Sequence, residues 1–360
     1  MKARPVAGQV GSAVPRGADP GRLQRDLVPA PERVWYQGHW LSDVLAPLGW
    51  LYCALASLRR WAYRRGLLAS FSATVPVFVV GNLTVGGTGK TPLVLWIADF
   101  LARKGYRPGI ALRGYGAEGR GRPRHVTANA DARVVGDEAV LLARRSGCPV
   151  VAGRDRVAAA RRLADHCGCD VVVTDDGLQH YRLRRQLEIL VSDGQRGLGN
   201  GRCLPAGPLR EPRRRLDAAD VVVINGAGEE SDGCRMRLEP GAAVNLHDPT
   251  VQCPLDRFIG EPVTAIAGIG HPRRFFTMLE DHGLFVTAIP YPDHHRFRAS
   301  DIARWPSGTV LMTEKDAVKC QPLASAAHWF VPVTAVPNAA FVIALEQALA
   351  AMKPAASEPG

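Results

Sequence analysis

Cysteine is scarce in this 360-residue sequence, and its eight residues follow no metal-binding pattern, because Cys167 and Cys169 are one residue apart and no Cys-x-x-Cys pair exists. A structural zinc site of that kind is therefore excluded, and reduced thiols, as in the cytoplasm, are expected. The first thirty residues lack an apolar core of signal-peptide length and are rich in Pro, Gly, Ala and Arg. We therefore expect residues 1–30 to form a flexible basic tail.

Acidic residues are outnumbered, with 34 Asp and Glu against 45 Lys and Arg, which gives a net charge of +11. The excess is uneven, since residues 1–75 hold ten basic and four acidic residues together with four of the seven Trp. A basic segment with many Trp indicates contact with an anionic surface, either nucleic acid or a membrane. The hydrophobic fraction of 46% excludes a chain that is disordered as a whole, and the length suits two domains.

Residues 31–74 combine an uncharged run with a cluster of arginines. The run from Val44 to Leu58 has fifteen residues, fewer than the roughly 20 needed to cross a bilayer, and Pro47 lies within it. The cluster that follows consists of Arg59, Arg60, Arg64 and Arg65. These arginines can pair with anionic lipids, so a membrane-associated helix, interfacial or partly inserted, is predicted. A helix buried against the core is the alternative, whereas nucleic acid is disfavoured as a partner, because the aromatic residues cluster with Leu and Ala.

Residues 77–91 have the features of a phosphate-binding loop between a strand and a helix. An apolar run at 77–80 predicts a buried strand, and the turn after it is rich in glycine, whose flexibility lets backbone N–H groups surround phosphate oxygens. The turn contains Gly86, Gly87, Thr88 and Gly89. Lys90 can reach the phosphates of a nucleotide, and the Thr91 hydroxyl can bind the accompanying Mg²⁺. The usual pattern has Gly where this chain has Thr84, but the flanking strand and helix favour nucleotide binding.

Apolar runs alternate with amphipathic stretches after residue 75, which is typical of a mostly parallel sheet covered by helices. We predict an α/β fold in which residues 75–225 form a P-loop NTPase-like core, a mostly parallel sheet with helices on both faces. The pattern breaks at 226–260, where Gly, Glu and Pro are frequent and a linker is expected. Alternation then resumes, so residues 261–360 are predicted to form a second, smaller α/β domain.

Two acidic pairs are placed to take part in phosphate chemistry. Asp175 and Asp176 follow the strand predicted at 170–174, and carboxylates at the carboxyl end of a strand beside a phosphate loop can hold Mg²⁺. Asp137 and Glu138 follow a glycine at the start of a predicted helix. For each pair the alternative is local, since a carboxylate can also cap a turn or the N-terminus of a helix.

A third cluster lies in the loop PYPDHHRF, where Asp293 precedes His294 and His295. Metal binding is disfavoured here, because no further His or Cys lies at a suitable spacing. A histidine oriented by a carboxylate is suited to assist proton transfer. The alternative is a pair of surface histidines without a function.

Taken in order, these segments make the sequence resemble the tetraacyldisaccharide 4'-kinase family, the lipid A 4'-kinases of Gram-negative bacteria, over residues 33–350. The resemblance is carried by WLYCALASLRRWAYRRG, GNLTVGGTGKTP, LRGYG, GDEA, TDDGLQH, GNGRCLPAGPLREP, AGIGHPRRFF, PDHHRF and TEKDA. It implies transfer of the γ-phosphate of ATP, with Mg²⁺, to the 4'-hydroxyl of a tetraacylated glucosamine disaccharide 1-phosphate. The implied product is lipid IVA, an intermediate of lipid A and lipopolysaccharide biosynthesis, made at the cytoplasmic face of the inner membrane.

The resemblance also implies roles for individual residues in a cleft between two domains. Asp137 matches the catalytic base of the family, and His294 matches the histidine that supports it. Lys90 and Asp176 are counted with them as catalytic. The implied magnesium ligands are Thr91, Asp175 and Glu138. Further positions expected to bind the nucleotide are Arg113, Tyr115, Gln179, His180, Arg210 and Glu211.

Two other functions fit parts of the sequence. A soluble P-loop ATPase or GTPase that drives a partner protein can share the fold, although a GTPase should show an NKxD-type motif and the nearest string, TEKD at 313–316, lacks the Asn. A membrane-binding module without catalysis would consume no ATP. The kinase interpretation is preferred, because it also gives the segment rich in Arg and Trp a function at the membrane that holds the acylated substrate.

Overall fold

The computed structural model describes residues 30–114, 123–226 and 233–352. Its helices are α1 (Ala30–Tyr36), α2 (Leu41–Val44), α3 (Ala46–Arg64), α4 (Lys90–Arg103), α5 (Ala132–Val135), α6 (Asp137–Arg145), α7 (Arg156–Cys167), α8 (Pro272–Asp281), α9 (Ala299–Ile302), α10 (Glu314–Cys320) and α11 (Ala339–Met352). Of the predicted basic tail only Ala30 falls within the described residues, where it begins α1.

The strands form two separate sheets. They are β1 (Val77–Gly81), β2 (Pro108–Leu112), β3 (Arg124–Val126), β4 (Val150–Ala152), β5 (Val171–Asp175), β6 (Leu187–Asp193), β7 (Val221–Asn225), β8 (Arg235–Pro240), β9 (Ala243–Asn245), β10 (Gln252–Cys253), β11 (Pro262–Ala267), β12 (Phe285–Pro290), β13 (Val310–Thr313), β14 (His328–Val331) and β15 (Val333–Pro337). The larger sheet has the order β15-β8-β7-β6-β1-β5-β2-β4-β3, and the smaller has the order β10-β9-β14-β13-β11-β12.

The larger sheet is covered on both faces, as predicted. Its central strand β1 is buried throughout, and its side chains alternate between two apolar clusters. Phe78 packs with Leu93 of α4 on one face, whereas Val79 packs with Leu163 of α7 on the other. Seven strands of the larger sheet run parallel to one another, in the order β8, β7, β6, β1, β5, β2 and β4. Their carboxyl ends therefore meet at one edge, where ligands bind in open α/β sheets.

The division of the chain differs from the predicted one at both ends of the second domain. The range 226–260, expected to be a linker, contains β8 of the larger sheet and β9 and β10 of the smaller one. The range 261–360 does not stay in the smaller domain, because β15 pairs antiparallel with β8 and closes an edge of the larger sheet. Helix α11 follows β15, and its Phe341 and Leu345 are buried in the same apolar cluster as Phe78 of the larger sheet.

The N-terminal segment folds as helices on the surface of the larger domain. On α3 only Ala46 and Gly49 are buried, so the alternative of a helix buried in the core does not describe it. Its large apolar side chains are between 38 and 70% exposed, and they are Leu48, Trp50, Leu51, Tyr52, Leu55, Leu58 and Trp61. No described helix has the length and apolar character needed to cross a membrane. Contact of α3 with a membrane surface stays a prediction.

Candidate active site

The phosphate loop connects the carboxyl end of β1 to the N-terminus of α4. Gly89, the residue before the helix, has φ +87°, a left-handed conformation that favours glycine. A Cβ atom at Gly89 would also lie 2.4 Å from Nδ2 of Asn225, so the position has no room for a side chain. Gly86 has φ +114°. The glycines predicted from the sequence therefore meet a real requirement of the backbone.

Lys90 points at the carboxyl edge of the sheet. Its Nζ donates to Oδ1 of Asn82 at 3.0 Å and lies 3.6 Å from Oδ1 of Asp176. Asn82 is fully buried, and its Nδ2 donates to the Thr84 carbonyl oxygen at 2.7 Å. The residue that departs from the usual pattern is thus held by the same amide that holds the lysine. Asn82 was not among the predicted site residues, although a polar residue directly after a buried strand is a signal for such a role.

Asp175 is the last residue of β5 and Asp176 follows it, and the two side chains lie in different environments. Asp175 is buried and accepts a hydrogen bond from Oγ1 of Thr91 at 2.8 Å. Burial and the nearby charge of Glu138 raise the pKa of Asp175 to about 6. Asp176 has φ +53° and lies 3.0 Å from Nη1 of Arg210. Burial alone would raise its pKa, but Lys90 and Arg210 lower the pKa of Asp176 to about 2.

The oxygen atoms around Asp175 fit a magnesium ion. Within the described ranges, no group of three His, Cys, Asp or Glu is placed to hold a metal by itself. Magnesium, however, is commonly bound by one or two carboxylates together with water and substrate phosphates. The pKa of Asp175 is raised mainly by burial and then by the negative charge of Glu138, and a divalent cation would offset that charge. Thr91, Asp175 and Glu138 are therefore suited to a cation that arrives with a nucleotide.

Asp137 and His294 meet across the two domains. Asp137 begins α6 in the larger domain and is buried, whereas His294 lies in the loop after β12 with φ +60°. Nδ1 of His294 is 3.2 Å from Oδ2 of Asp137. Burial would raise the pKa of Asp137, but the hydrogen bond from His294 and the charge of Lys315 lower this pKa to about 2. For His294 the two effects have the opposite signs, since burial would lower its pKa, whereas the hydrogen bond to Asp137 raises this pKa above 6.5.

Lys315, at the start of α10, is a residue of the site that sequence analysis did not assign. Its Nζ donates to Oε1 of Glu138 at 2.9 Å and to Oδ1 of Asp293 at 3.2 Å. Burial would lower the pKa of Lys315, but the charges of Glu138, Asp137 and Asp293 raise it, so the side chain stays charged. The TEKDA segment was part of the resemblance, but its lysine had no assigned role. No sequence pattern predicts with which carboxylate this lysine forms a hydrogen bond.

The remaining residues predicted to bind the nucleotide occupy different positions. Arg113, Gln179, His180 and Arg210 line the cavity beside the phosphate loop. Burial and Arg156 lower the pKa of His180 to about 4, so its ring is neutral at pH 7. Glu211 is buried and accepts a hydrogen bond from the Tyr181 hydroxyl, so it stabilises the segment around Tyr181 instead of facing the cavity. Tyr115 lies outside the described residues.

Both domains line one cavity of about 1870 Å³, and Asp137 lies behind its wall in contact with His294. The larger domain supplies the phosphate loop from 85 to 92, Glu138, Asp175, Asp176 and Arg210. The smaller domain supplies residues 269–275, His294 and Lys315. The volume exceeds that of a typical small-molecule pocket, on the order of 300 to 1,000 Å³, so a nucleotide and a second substrate can both be accommodated.

The sequence profile of one family, described as Tetraacyldisaccharide-1-P 4'-kinase, matches residues 41–350. The chain belongs to the tetraacyldisaccharide 4'-kinase family. It is 53% identical over 312 residues to a tetraacyldisaccharide 4'-kinase of Alkalilimnicola ehrlichii, with 86% of this chain and 93% of the relative covered. It is 48% identical over 312 residues to a tetraacyldisaccharide 4'-kinase of Pseudomonas aeruginosa, with the same coverage of both chains.

The fold agrees with a solved structure of this kinase family. The crystal structure of LpxK from Aquifex aeolicus, described as an "apo" form in complex with ATP, matches with a TM-score of 0.72 and 28% sequence identity. The match covers 86% of this chain and 99% of that chain. The predicted α/β class and the resemblance to tetraacyldisaccharide 4'-kinases are therefore confirmed.

Proposed function

We propose that the protein transfers the γ-phosphate of ATP to the 4'-hydroxyl of a tetraacylated glucosamine disaccharide 1-phosphate, which gives lipid IVA. Membership of the kinase family supports the reaction, and the related Aquifex aeolicus structure contains ATP. The observation that carries the proposal is that Lys90, from the phosphate loop, and His294, from the other domain, line the same cavity. A phosphate donor and a group that activates a hydroxyl are the two parts that such a transfer needs.

Proton transfer is assigned to Asp137 and His294. Asp137 is ionised at neutral pH, since its pKa is about 2, and it lies within hydrogen-bond distance of Nδ1 of His294. We infer that Asp137 takes the proton of the sugar hydroxyl and that His294 orients this carboxylate and accepts the proton onward. A carboxylate of such low pKa holds a proton poorly, so passing the proton to a histidine whose pKa is raised is favourable.

The transferred phosphate is assigned to Lys90 and Arg210. Both side chains are near Asp176, which keeps each cation oriented at the carboxyl edge of the sheet. Phosphoryl transfer depends mainly on positioning and on cations around the phosphate oxygens. Magnesium, when bound by Thr91, Asp175 and Glu138, would add charge neutralisation to theirs.

Contact with the cytoplasmic face of the inner membrane is proposed for α3 and its arginines. The exposed apolar row of α3 supports insertion at the level of the lipid headgroups. Arg64 and Arg65 are exposed, as a partner for anionic lipids requires. Arg59 differs, because its Nη1 donates to the Gln179 carbonyl oxygen at 3.3 Å, next to the cavity. Arg60 is half-buried, so the membrane role rests on Arg64 and Arg65.

Replacing Arg64 and Arg65 with Gln should weaken binding to anionic vesicles by about 2 kcal/mol at most, because each arginine near the surface contributes roughly 1 kcal/mol. The loss should shrink at high salt, since exposed charges are screened. Flotation with anionic and neutral liposomes measures the effect, and Arg107→Gln, with a side chain 76% exposed on the larger domain, is the matched control. Unchanged flotation together with a lowered melting temperature would contradict the membrane role.

The kinase reaction is tested with the purified protein, ATP, Mg²⁺ and the tetraacylated disaccharide, followed by mass spectrometry of the lipid. We expect one phosphate to be added at the 4' position, and little ATP to be consumed when the lipid is left out. ATP consumption at the same rate with water alone would instead favour the ATPase that drives a partner protein. The Lys90→Ala variant, prepared in parallel, excludes a contaminating kinase.

A further inference from the structure

The loop before α8 of the smaller domain packs directly on the phosphate loop. A Cβ atom at Gly270 would lie 2.6 Å from the backbone nitrogen of Gly87 and 3.1 Å from Cα of Gly86. The two backbones are therefore in contact, with no side chain between them. Because nucleotide phosphates are bound by the backbone N–H groups of such a loop, the position of the smaller domain affects the binding surface itself.

Arg274, in the first turn of α8, ties this loop to the larger sheet. Its Nη1 lies 3.4 Å from Oδ2 of Asp193, and its Nη2 donates to the carbonyl oxygen of Asn225 at 3.1 Å. Asp193 and Asn225 are the last residues of the neighbouring strands β6 and β7, where they are paired in register, and both are buried. One guanidinium thus spans two strand ends.

Arg274 supplies the positive charge for Asp193. Among the described residues, the other basic side chain within 4 Å of this carboxylate is His271, whose Nδ1 is 3.9 Å away. Burial and Arg196 lower the pKa of His271 to about 4, so its ring is neutral at pH 7. A buried carboxylate needs a paired cation, which makes Arg274 difficult to replace by a neutral residue.

Asn225 carries the contact onward to the phosphate loop. Its Nδ2 donates to the Thr88 carbonyl oxygen at 2.8 Å and packs against Gly89, where a Cβ atom would lie only 2.4 Å away. The residue whose main chain accepts from Arg274 therefore fixes the loop with its side chain.

We propose that Arg274 is a positioning residue that holds the phosphate loop in its binding conformation through Asn225, so that docking of the smaller domain and affinity for ATP are linked. The inference rests on the proposed use of ATP, but it assigns neither residue a contact with the reacting atoms. Linked sites of this kind typically change each other's affinity by about 5- to 150-fold.

Titration calorimetry with ATP and Mg²⁺, in the absence of lipid, tests the link. Arg274→Gln and Asn225→Ala should each weaken ATP binding about tenfold, and the double variant should lose less than the product of the two. Arg274→Lys keeps the charge but cannot span both strand ends, so an intermediate loss is expected. Arg257→Gln is the matched control, because this arginine of the smaller domain is exposed and pairs with Glu261.

Kinetic constants distinguish positioning from a general loss of structure. The KM for ATP should rise in the Arg274 and Asn225 variants while the KM for the lipid stays within about twofold, because the contacts reach the phosphate loop alone. Unchanged ATP affinity in Arg274→Gln, or in Arg274→Lys if the first variant does not fold, would overturn the proposal. Losses that multiply fully in the double variant would overturn it as well. A wild-type protein that binds ATP but phosphorylates no lipid would refute the proposed kinase and leave this link intact.

Discussion

Asp175 and Asp137 are both buried carboxylates beside the cavity, yet their charges are balanced in opposite ways. Burial and the neighbouring Glu138 raise the pKa of Asp175 to about 6, whereas burial is outweighed at Asp137 by His294 and Lys315, which lower its pKa to about 2. The cations at Asp137 come from the smaller domain. We infer from this difference that docking of the second domain supplies the positive charge at Asp137, whereas a cation that arrives with the nucleotide would supply it at Asp175.

The largest effect on kcat should come from changing Asp137 or His294, the pair that forms where the second domain docks. Asp137→Asn and His294→Ala should each lower kcat by a factor on the order of 10² to 10⁴, the usual contribution of general-base catalysis. Steady-state kinetics at saturating ATP and lipid measure the loss. Calorimetric ATP binding is the control, since neither residue belongs to the phosphate loop. Turnover near that of the wild type in either variant would remove the pair from the mechanism.

A somewhat smaller loss of kcat is expected from changing the phosphate loop. Lys90→Ala should lower kcat by a factor on the order of 10² to 10³, because a preorganised positive group near the developing charge is removed. Circular dichroism should be unchanged, since Lys90 is the first residue of α4 and its side chain points at the site instead of packing in the core. Near wild-type turnover of a folded Lys90→Ala variant would exclude the phosphate loop from the reaction.

The pH dependence of kcat/KM should separate the two sides further. The pKa of His294 is raised above 6.5, and a histidine accepts a proton only when neutral, so activity should rise with pH through that raised pKa. Asp137 is ionised across this range and contributes no limb. Rate profiles of the wild type and of His294→Ala between pH 5.5 and 9, spanning roughly the range in which histidine titrates, measure this. An identical rising limb in the variant would assign the titration to another group.

The smallest effect, of opposite sign, concerns stability at Asp175. Because its pKa in the folded protein is about 6, above the ordinary 3.8, the contribution of Asp175 to stability is full below pH 3.8 and is lost as the pH rises through 6. Asp175→Asn keeps an acceptor for Thr91 and removes the charge, so at pH 7.5 it should raise the melting temperature by a few degrees. The gain should shrink at pH 5.

Thermal melts without Mg²⁺ and nucleotide check this prediction, and Asp170→Asn, with its side chain 38% exposed on the same domain, is the control. Adding Mg²⁺ and ATP should stabilise the wild type more than Asp175→Asn. A variant that melts below the wild type at pH 7.5 would contradict the account of uncompensated charge.

The sequence predicted best what is local. The phosphate loop lies within one strand, turn and helix, so the apolar run at 77–80 and the glycines were enough to place Lys90 and Thr91. The alternation of apolar runs likewise predicted the α/β class. The return of β15 to the larger sheet was not predictable in this way, because the paired residues of β15 and β8 are 93 to 101 positions apart and no local pattern encodes their pairing.

Within the site, the long-range partners were the ones that could not be derived from spacing. The pairing of Asp137 with His294 came from the resemblance to a family, since the two residues are 157 positions apart. Asn82, Lys315 and Arg274 were missed, because each acts through burial and through a partner on another element. Glu211 was placed with the nucleotide-binding residues by the resemblance to the family, whereas in the structure it is buried and accepts a hydrogen bond from the Tyr181 hydroxyl.

The measurement that tests the central claim most directly is the kcat of Asp137→Asn, His294→Ala and their double variant. If the two residues form one proton-transfer unit across the domains, the double variant should lose much less than the product of the single losses. ATP affinity should stay near that of the wild type in all three proteins. Losses that multiply fully would contradict the account, because they would mean that the two residues act independently.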